Sequence, residues 1–250
     1  MAQIVAVHSF RGGTGKSNTT ANISAMLAAS GQRTAVIDCD IQSPGIHVLF
    51  GLGGKQLQHS LNEYLRGECS IEQAAVDVAA NVGLANGSSL HLIPSSLSGG
   101  EIARVIREGY DFAVLHEGLL KLVELLRLHV LIIDTHPGMN AETLLSLATA
   151  DVLLLVMRAD EQDYLGTAVA VEVARQLGVP RIEILVNNVP LAFDPAAIRR
   201  QVEQVYGCHV AAVIQHNSDM HALASGGVFS TRYPDDPLAA QYRELAASLA

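Results

Sequence analysis

The chain has 250 residues, of which 49% are hydrophobic, and a formal net charge of −9. A chain of this length and apolar content can bury a large core, and no linker divides it, so we expect a single domain over residues 1–250. The acidic balance argues against strong DNA binding, because affinity for nucleic acid comes mainly from lysine and arginine side chains that neutralise phosphates.

Two features concern the compartment. No run of about 18 apolar residues is present, and residues 1–3 lack the charged start of a secretory signal. The three cysteines, Cys39, Cys69 and Cys208, are isolated and odd in number, which fits a reducing compartment and offers no C-x-x-C metal pair. We therefore expect a cytoplasmic protein.

The first predicted strand, residues 4–7, is followed by a glycine-rich segment and a predicted helix over residues 18–29. Such a loop is typical of phosphate binding, because its glycines let successive amide groups converge on phosphate oxygens and the helix N-terminus adds partial positive charge. The chain is therefore predicted to bind a nucleotide. The predicted binding residues are Arg11, Gly12, Gly13, Thr14, Gly15, Lys16, Ser17 and Asn18.

The side chains of this loop predict its chemistry. Lys16 adds a full charge near the outer phosphates, and Ser17 offers a hydroxyl to Mg²⁺. The common pattern G-x-x-x-x-G-K-[ST] is not met, because Phe10 occupies the first glycine position. Arg11 supplies an additional cation beside it.

Residues 11–17 resemble the deviant Walker A box of the MinD/ParA superfamily, written K-G-G-x-G-K-[ST]. In that family the first lysine reaches across a nucleotide-sandwich dimer to the partner's phosphates. Arg11 stands at this position; it keeps the charge, but its planar fork has a different reach and hydration. The resemblance implies ATP and Mg²⁺ as cofactors, a homodimer in the ATP state, and catalytic roles for Arg11 and Lys16.

A second motif, Asp38-Cys39-Asp40, follows the predicted strand at residues 34–37. One carboxylate near Mg²⁺ and another near a water at the terminal phosphate form a workable hydrolytic arrangement. The resemblance assigns Asp38 to the metal and Asp40 to orienting the attacking water. As an alternative, Asp-x-Asp caps the helical turn that follows.

The middle of the chain, residues 51–100, contains two predicted short helices, at 61–66 and 71–77. We interpret this segment as a helical insertion within the domain. Residues 45–52 resemble the MinD/FlhG-like branch, in which similar insertions contact partners or shape the dimer face.

The third motif begins at the predicted strand of residues 130–133 and continues as D-T-H-P-G. It resembles the Walker B and switch II segment, usually D-T-x-x-G, which implies that Asp134 belongs to the Mg²⁺ site and that the Gly138 amide senses the terminal phosphate. His136 can exchange a proton near neutral pH. We nevertheless interpret it as a switch-loop residue without chemistry.

Further predicted strands at residues 152–156, 182–186 and 210–214 alternate with predicted helices at 161–177 and 195–206. This alternation predicts an α/β fold with a doubly wound, mostly parallel sheet flanked by helices, whose ligands bind at the carboxyl ends of the strands. The resemblance implies a P-loop NTPase of the SIMIBI type.

Recognition of the base is predicted at two strand ends. Asn187 resembles the asparagine that reads adenine in this superfamily, and residues 187–190 lack the aspartate of the guanine motif N-K-x-D. Gln215 is predicted to form a second rim of the base pocket. Both positions are also compatible with helix caps or turns.

The last segment, residues 242–250, carries one arginine, one glutamate and no large aromatic anchor on a membrane face. It differs from the basic amphipathic membrane helix at the end of MinD, so we expect a packing helix and no autonomous membrane anchor.

Three functions fit these motifs. The first is a slow, partner-stimulated Mg²⁺-dependent ATP hydrolase, a dimeric switch that positions or regulates an unidentified partner protein or cellular cargo. The second is a non-hydrolysing ATP-binding scaffold, because Phe10 and Arg11 both alter the loop that would hold the transition state. A metallocofactor-assembly ATPase ranks third, because iron–sulfur clusters need cysteine thiolates and the three cysteines are scattered.

Overall fold

The computed structural model describes residues 2–53 and 57–250, and the described strands form one sheet. In chain order these strands are β1 (Gln3–His8), β2 (Thr34–Asp38), β3 (Val76–Asp77), β4 (Leu90–Ile93), β5 (Val130–Asp134), β6 (Val152–Met157), β7 (Arg181–Val189) and β8 (His209–Gln215). Across the sheet the order is β3-β4-β2-β5-β1-β6-β7-β8. Within the described chain, β3 pairs antiparallel with β4 and the other neighbours are parallel.

Helices cover both faces of this sheet. The described helices are α1 (Lys16–Ala29), α2 (Ile46–Leu49), α3 (Leu61–Leu65), α4 (Gly99–Glu108), α5 (Phe112–Leu125), α6 (Ala141–Thr149), α7 (Glu161–Gln176), α8 (Pro195–Tyr206), α9 (Ser218–Leu223), α10 (Phe229–Arg232) and α11 (Pro237–Ser248). The predicted fold class, a doubly wound and mostly parallel α/β sheet flanked by helices, is confirmed.

The central strands are apolar on both sides because both faces of the sheet are covered. In β1, Val5 and Val7 point into a core shared with α1, α2, α10 and α11. Ala6 points to the opposite face, into a core shared with α6, α7 and α8. Ile4 shares that second face but belongs to the core built with α3, α4 and α5. Alternate residues of one short strand therefore hold both helical layers in place.

Local sequence signals determine where several helices begin. Asp160, Asp194 and Asp236 are the N-caps of α7, α8 and α11, and each carboxylate accepts a hydrogen bond from a backbone amide of the first turn. Pro195 and Pro237 follow two of these caps, at positions where a helix has no use for a backbone donor. The observed starts of α7 and α8 match the predicted ones.

The predicted helix at residues 71–77 is wrong. Residues 71–74 form a single turn, in which Ser70 and Gln73 exchange side-chain and backbone hydrogen bonds. Val76 and Asp77 then pair with β4 as a strand, which satisfies their backbone groups at the sheet edge. The described part of residues 51–100 is also not a purely helical insertion, because β4 lies beside β2 within the main sheet.

The carboxyl ends of β1, β2 and β5 lie next to one another, so the loops that follow these strands meet at one edge of the sheet. Helix α11 packs along α1 and against β8, and its Tyr242 is buried. No helix among the described residues combines the length and the apolar character needed to cross a membrane.

Candidate functional site

The loop between β1 and α1 ends at the N-terminus of a helix. Gly13 and Gly15 have φ angles of +79° and +93°, in the left-handed region that favours glycine. Gly15 is the N-cap of α1 and offers no side-chain acceptor, so the amide groups of the first turn keep no capping partner. The predicted phosphate-binding residues, 11–18, thus lie where helix N-termini bind anions.

Three donors converge on the carboxylate of Asp134, at the end of β5. Lys16 Nζ lies 3.0 Å from Oδ1, Thr20 Oγ1 donates to the same oxygen at 2.9 Å, and Ser17 Oγ donates to Oδ2 at 2.8 Å. Asp134 is buried, so these donors replace the water that a carboxylate otherwise requires. Lys16, Ser17 and Asp134 come together as predicted, whereas Thr20 was not recognised in the sequence.

Asp38 lies beside this cluster, in register with Asp134 on the neighbouring strand. Its Oδ1 accepts a hydrogen bond from the Asp40 amide at 3.0 Å, and its buried Oδ2 has no partner among the described residues. Burial, and then the charge of Asp134, raise the pKa of Asp38 well above its usual range. A cation at this place would relieve both effects.

The donor set fits Mg²⁺. Asp38 and Asp134 supply carboxylate oxygens, and Ser17 supplies a hydroxyl, the oxygen ligands that Mg²⁺ prefers. Within the described part of the chain no group of three or more His, Cys, Asp and Glu side chains could hold an ion alone. Mg²⁺ commonly binds to one or two carboxylates and completes its shell with water and substrate phosphates.

Asp40 is anchored through one of its two carboxylate oxygens. Oδ1 accepts a hydrogen bond from the Ser43 amide at 3.1 Å, and His136 Nδ1 lies 2.6 Å from the same oxygen. An ionised carboxylate can only accept, so the histidine ring carries its proton on Nδ1 in this contact. The sequence offered no signal for this pairing, because the two residues belong to loops that follow different strands.

The amide of Gly138, predicted to sense the terminal phosphate, donates to the Ser9 carbonyl at 3.1 Å. Gly138 has a φ of +88°, so the turn requires a residue that tolerates the left-handed region. A phosphate contact at Gly138 therefore requires this hydrogen bond to be exchanged. The loop after β5 is thus coupled directly to the phosphate loop.

Arg11 is paired within its own chain. Its Nη1 lies 3.4 Å from Asp163 Oδ1 and 3.5 Å from Asp160 Oδ1, at the start of α7. Arg158 contacts the same two carboxylates, and Asp163 is buried. The additional cation of the loop is therefore held against α7 by acidic partners that the sequence analysis did not identify.

Phe10 takes the place of the first glycine of the common phosphate-loop pattern, and its ring packs on α7. A methyl group added at Gly166 would overlap the Phe10 ring. Gly166 is buried in the middle of the helix, where glycine lowers helix stability relative to alanine. The bulky residue in the loop and the missing side chain in the helix therefore compensate for each other.

A cavity of about 420 Å³ extends from the phosphate loop past the ends of β7 and β8. Asn187 and Gln215 both line it, as predicted for a base pocket. Asn187 Nδ2 donates to the Thr14 carbonyl at 2.8 Å, which ties the end of β7 to the loop. Tyr242 of α11 also lines the cavity, and no sequence motif indicated it. The volume lies in the range of pockets that hold small-molecule ligands.

The parallel sheet, the glycine loop at a helix N-terminus and the two aspartates at adjacent strand ends define a P-loop nucleotide-binding protein. The AAA domain family matches residues 2–177. The chain belongs to this family, and the resemblance of its Walker A and Walker B segments to the MinD/ParA superfamily is confirmed.

Known proteins resemble the chain along its whole length. An uncharacterized ATP-binding protein of Methanocaldococcus jannaschii is 29% identical over 250 residues, covering 100% of this chain and 88% of the relative. The cell division ATPase MinD of Pyrococcus furiosus superposes with a TM-score of 0.83 at 20% identity, covering 100% of this chain and 98% of that one. The septum site-determining protein MinD of Pyrococcus horikoshii, complexed with Mg-ADP, gives 0.82 at 19% identity, covering 100% and 96%. At these identities the two structures establish the fold.

Proposed function

We propose that the chain, as one domain over residues 1–250, is a Mg²⁺-dependent ATP hydrolase that acts as an ATP-switched homodimer in the cytoplasm. The observation that carries the proposal is the meeting of Lys16, Ser17, Asp38 and Asp134 at one sheet edge, with Asp40 beside them. Phosphoryl transfer depends on positioning and on electrostatic stabilisation, and this set supplies groups for both.

The phosphate loop and the metal site both stabilise the negative charge of the triphosphate. The amides of residues 12–18 and the ammonium of Lys16 bind phosphate oxygens. Ser17, Asp38 and Asp134 would hold Mg²⁺, which would neutralise developing charge on the phosphates. To bind a phosphate oxygen, Lys16 leaves Asp134. The ammonium group then has a phosphate oxygen as its charged partner in place of the carboxylate.

Asp40 orients the water that attacks the terminal phosphate. Both hydrogen bonds that residues 2–53 and 57–250 make to its carboxylate use Oδ1, so Oδ2 is the acceptor for that water. The oxygen of the water bonds to the γ-phosphorus while the bond to the bridging oxygen breaks, and the bridging oxygen leaves on ADP with the bonding electron pair. Both protons of the water leave on the released phosphate, as dihydrogen phosphate. The Gly138 amide stabilises the same phosphoryl group after it exchanges the Ser9 carbonyl.

Adenine fits the cavity beside the phosphate loop. Asn187 and Gln215 lie on its wall, and side-chain amides can both donate to and accept from a base edge. The M. jannaschii relative is an ATP-binding protein, and the P. horikoshii protein was solved with Mg-ADP. Both names support ATP as the nucleotide and Mg²⁺ as the ion.

The switch acts on an unidentified regulatory protein or on cellular cargo. The names of the Pyrococcus proteins, a cell division ATPase and a septum site-determining protein, support a positioning role. In the proposed dimer Arg11 contacts the phosphates bound by the partner subunit. Arg11 must then leave Asp160 and Asp163, so dimer formation and release from α7 are one event.

One observation favours the non-hydrolysing scaffold as a second candidate. Arg11 is bound to two carboxylates, and Phe10 is packed on Gly166, so the first half of the loop is fixed to α7 in its own chain. A loop that never releases Arg11 would hold nucleotide without reaching a partner subunit.

The deciding experiment compares ATP turnover by the wild type and by Asp40→Ala, with Mg²⁺ and with EDTA, after ATP affinity has been measured for both. The proposed function requires Mg²⁺-dependent turnover that falls at least tenfold in Asp40→Ala while ATP affinity is retained. Equal, near-zero turnover in both proteins with intact affinity would favour the scaffold, and no affinity for Mg-ATP would exclude both candidates.

A further inference from the structure

His136 lies at the junction of the two loops that flank the proposed metal site. Its Nδ1 is 2.6 Å from Asp40 Oδ1, across a separation of 96 residues in the chain. The histidine side chain is 22% exposed and the aspartate side chain 14%, so most of the contact is shielded from water. A charge-assisted hydrogen bond in such surroundings is stronger and more directional than one at the surface.

The backbone holds both partners in place. The His136 carbonyl accepts a hydrogen bond from Thr143 Oγ1 at 3.2 Å, and the Thr143 amide donates to the N-cap residue Asn140 at 2.8 Å. The loop after β5 is thereby fixed to the first turn of α6. On the other side, the Ser43 amide holds Asp40 Oδ1. The imidazole therefore meets a carboxylate whose position is already restricted.

The two donors on Oδ1 determine how the carboxylate is turned. With Ser43 and His136 both bound to Oδ1, rotation of the Asp40 carboxylate about its last torsion moves Oδ1 away from both donors. Oδ2 consequently keeps one direction relative to these two donors. A carboxylate without the histidine would keep a single backbone donor and could swing.

We infer that His136 is a positioning residue that orients Asp40 for its interaction with the attacking water. The inference rests on the proposed function and extends it, because it makes the loop after β5 responsible for the geometry of a residue on the loop after β2. The imidazole accepts no proton from the substrate in this role; it donates through Nδ1 and fixes the acceptor oxygen. Movement of residues 135–138 is then transmitted to Asp40 through the ring.

The test is the steady-state kinetics of Mg-ATP hydrolysis by the wild type, His136→Ala, His136→Asn and the control His116→Ala. Asparagine places an amide nitrogen close to the position of the imidazole Nδ1, so it can restore the donor without the ring. His116 is an exposed histidine on α5 whose Nδ1 contacts Thr149, away from the site. Thermal unfolding and ATP affinity, measured for each variant, verify that the site is folded.

We expect His136→Ala to lower kcat about 10–100-fold with KM for ATP within about twofold of the wild type, because misplacement of a positioned group costs rate and not binding. His136→Asn is expected to recover most of this loss, and His116→Ala to match the wild type. The inference is overturned if His136→Ala keeps the kcat of the wild type, if it raises KM alone, or if His136→Asn is as slow as alanine in a folded protein. A wild type that binds Mg-ATP without turning it over overturns the proposed function and this inference together, whereas an active wild type indifferent to His136 overturns the inference alone.

Discussion

Asp38 and Asp134 lie opposite each other in register at the carboxyl ends of β2 and β5. Both are buried, and Lys16, Ser17 and Thr20 all donate to Asp134, which leaves Asp38 with a single backbone donor. Two buried carboxylates at this spacing repel each other, and burial adds to the cost of ionising Asp38. A divalent cation bound between these carboxylates would remove this unfavourable free energy.

The first prediction concerns the pH dependence of stability. The pKa of Asp38 is raised in the folded chain, so the folded state holds this proton at pH values where the unfolded state has lost it. The contribution of Asp38 to the free energy of unfolding therefore falls as pH rises above the unfolded pKa of about 3.9. In EDTA at neutral pH, Asp38→Asn should increase the free energy of unfolding by about 1–3 kcal/mol.

Thermal unfolding between pH 4 and pH 8, with and without Mg²⁺, measures this effect. Mg²⁺ should stabilise the wild type and the control Asp235→Asn, an exposed position, but not Asp38→Asn. Two results would contradict the assignment of Asp38 to the metal. One is an Asp38→Asn protein that is less stable than the wild type in EDTA, and the other is an Asp38→Asn protein that Mg²⁺ stabilises as much as it stabilises the wild type.

Substitution of Thr20 tests how much the hydrogen bonds to Asp134 contribute to the free energy of unfolding. Thr20→Val removes one buried hydroxyl donor and keeps the shape of the side chain, so Asp134 loses one of three partners. We expect the free energy of unfolding to fall by about 1–3 kcal/mol. Denaturant unfolding gives the value, and Thr231→Val is the matched control, because its hydroxyl donates to the nearby Val228 carbonyl. Equal losses in the two variants would show that the Asp134 contact has no special weight.

Phe10 and Gly166 should show energetic coupling. Gly166→Ala places a methyl group within the volume of the Phe10 ring, so it should destabilise the chain although alanine is the better helix former. Phe10→Ala removes the ring and leaves space for the new methyl group. The double variant should therefore lose about 0.5–3 kcal/mol less free energy of unfolding than the sum of the losses in the two single variants. The double-mutant cycle is measured by denaturant unfolding. Gly100→Ala in α4 meets only a distant Ser98 hydroxyl and should be neutral or stabilising, and an additive cycle would rule out the compensation.

Arg11 and Asp160 test the proposed release from α7. Asp160→Asn keeps an N-cap side chain for α7 but removes one negative charge from Arg11 and Arg158. We expect Asp160→Asn to increase the dimer fraction in ATP, and Arg11→Ala to abolish the dimer and hydrolysis while ATP affinity stays within about threefold. Light scattering with ADP and with ATP measures both. Arg104→Ala, an exposed arginine on α4, is the control. A dimer that forms equally well without Arg11 would assign this loop to nucleotide binding alone.

The parts of the fold and site that the sequence predicted share one property: they depend on neighbours in the chain. Residues 12–15 form a loop because glycines lie between a strand and a helix, and Asp38 and Asp134 end buried strands whose apolar runs are readable in isolation. The alternation of strands and helices then predicts a parallel sheet with its ligand site at the carboxyl ends.

The features that were missed depend on residues far apart in the chain. Thr20 looks like any polar residue of a helix until β5 places Asp134 beside it, and the partner of His136 is decided by the register of β2 against β5. The error at residues 71–77 has the same origin, because the edge of β4 offers Val76 and Asp77 backbone partners that no local propensity reveals.

The packing of α11 along α1, with Tyr242 on the wall of the cavity, has a consequence for the synthesis of the protein. About 220 residues separate the phosphate loop from Tyr242. At ordinary elongation rates of roughly 5–20 residues per second, this wall of the pocket is made about 10–45 s after the loop. A nascent chain that has completed the loop and the central strands still lacks that wall, so the cavity becomes complete only when α11 docks. Ligand retention by stalled nascent chains of increasing length should therefore appear in one step, at the length that releases α11.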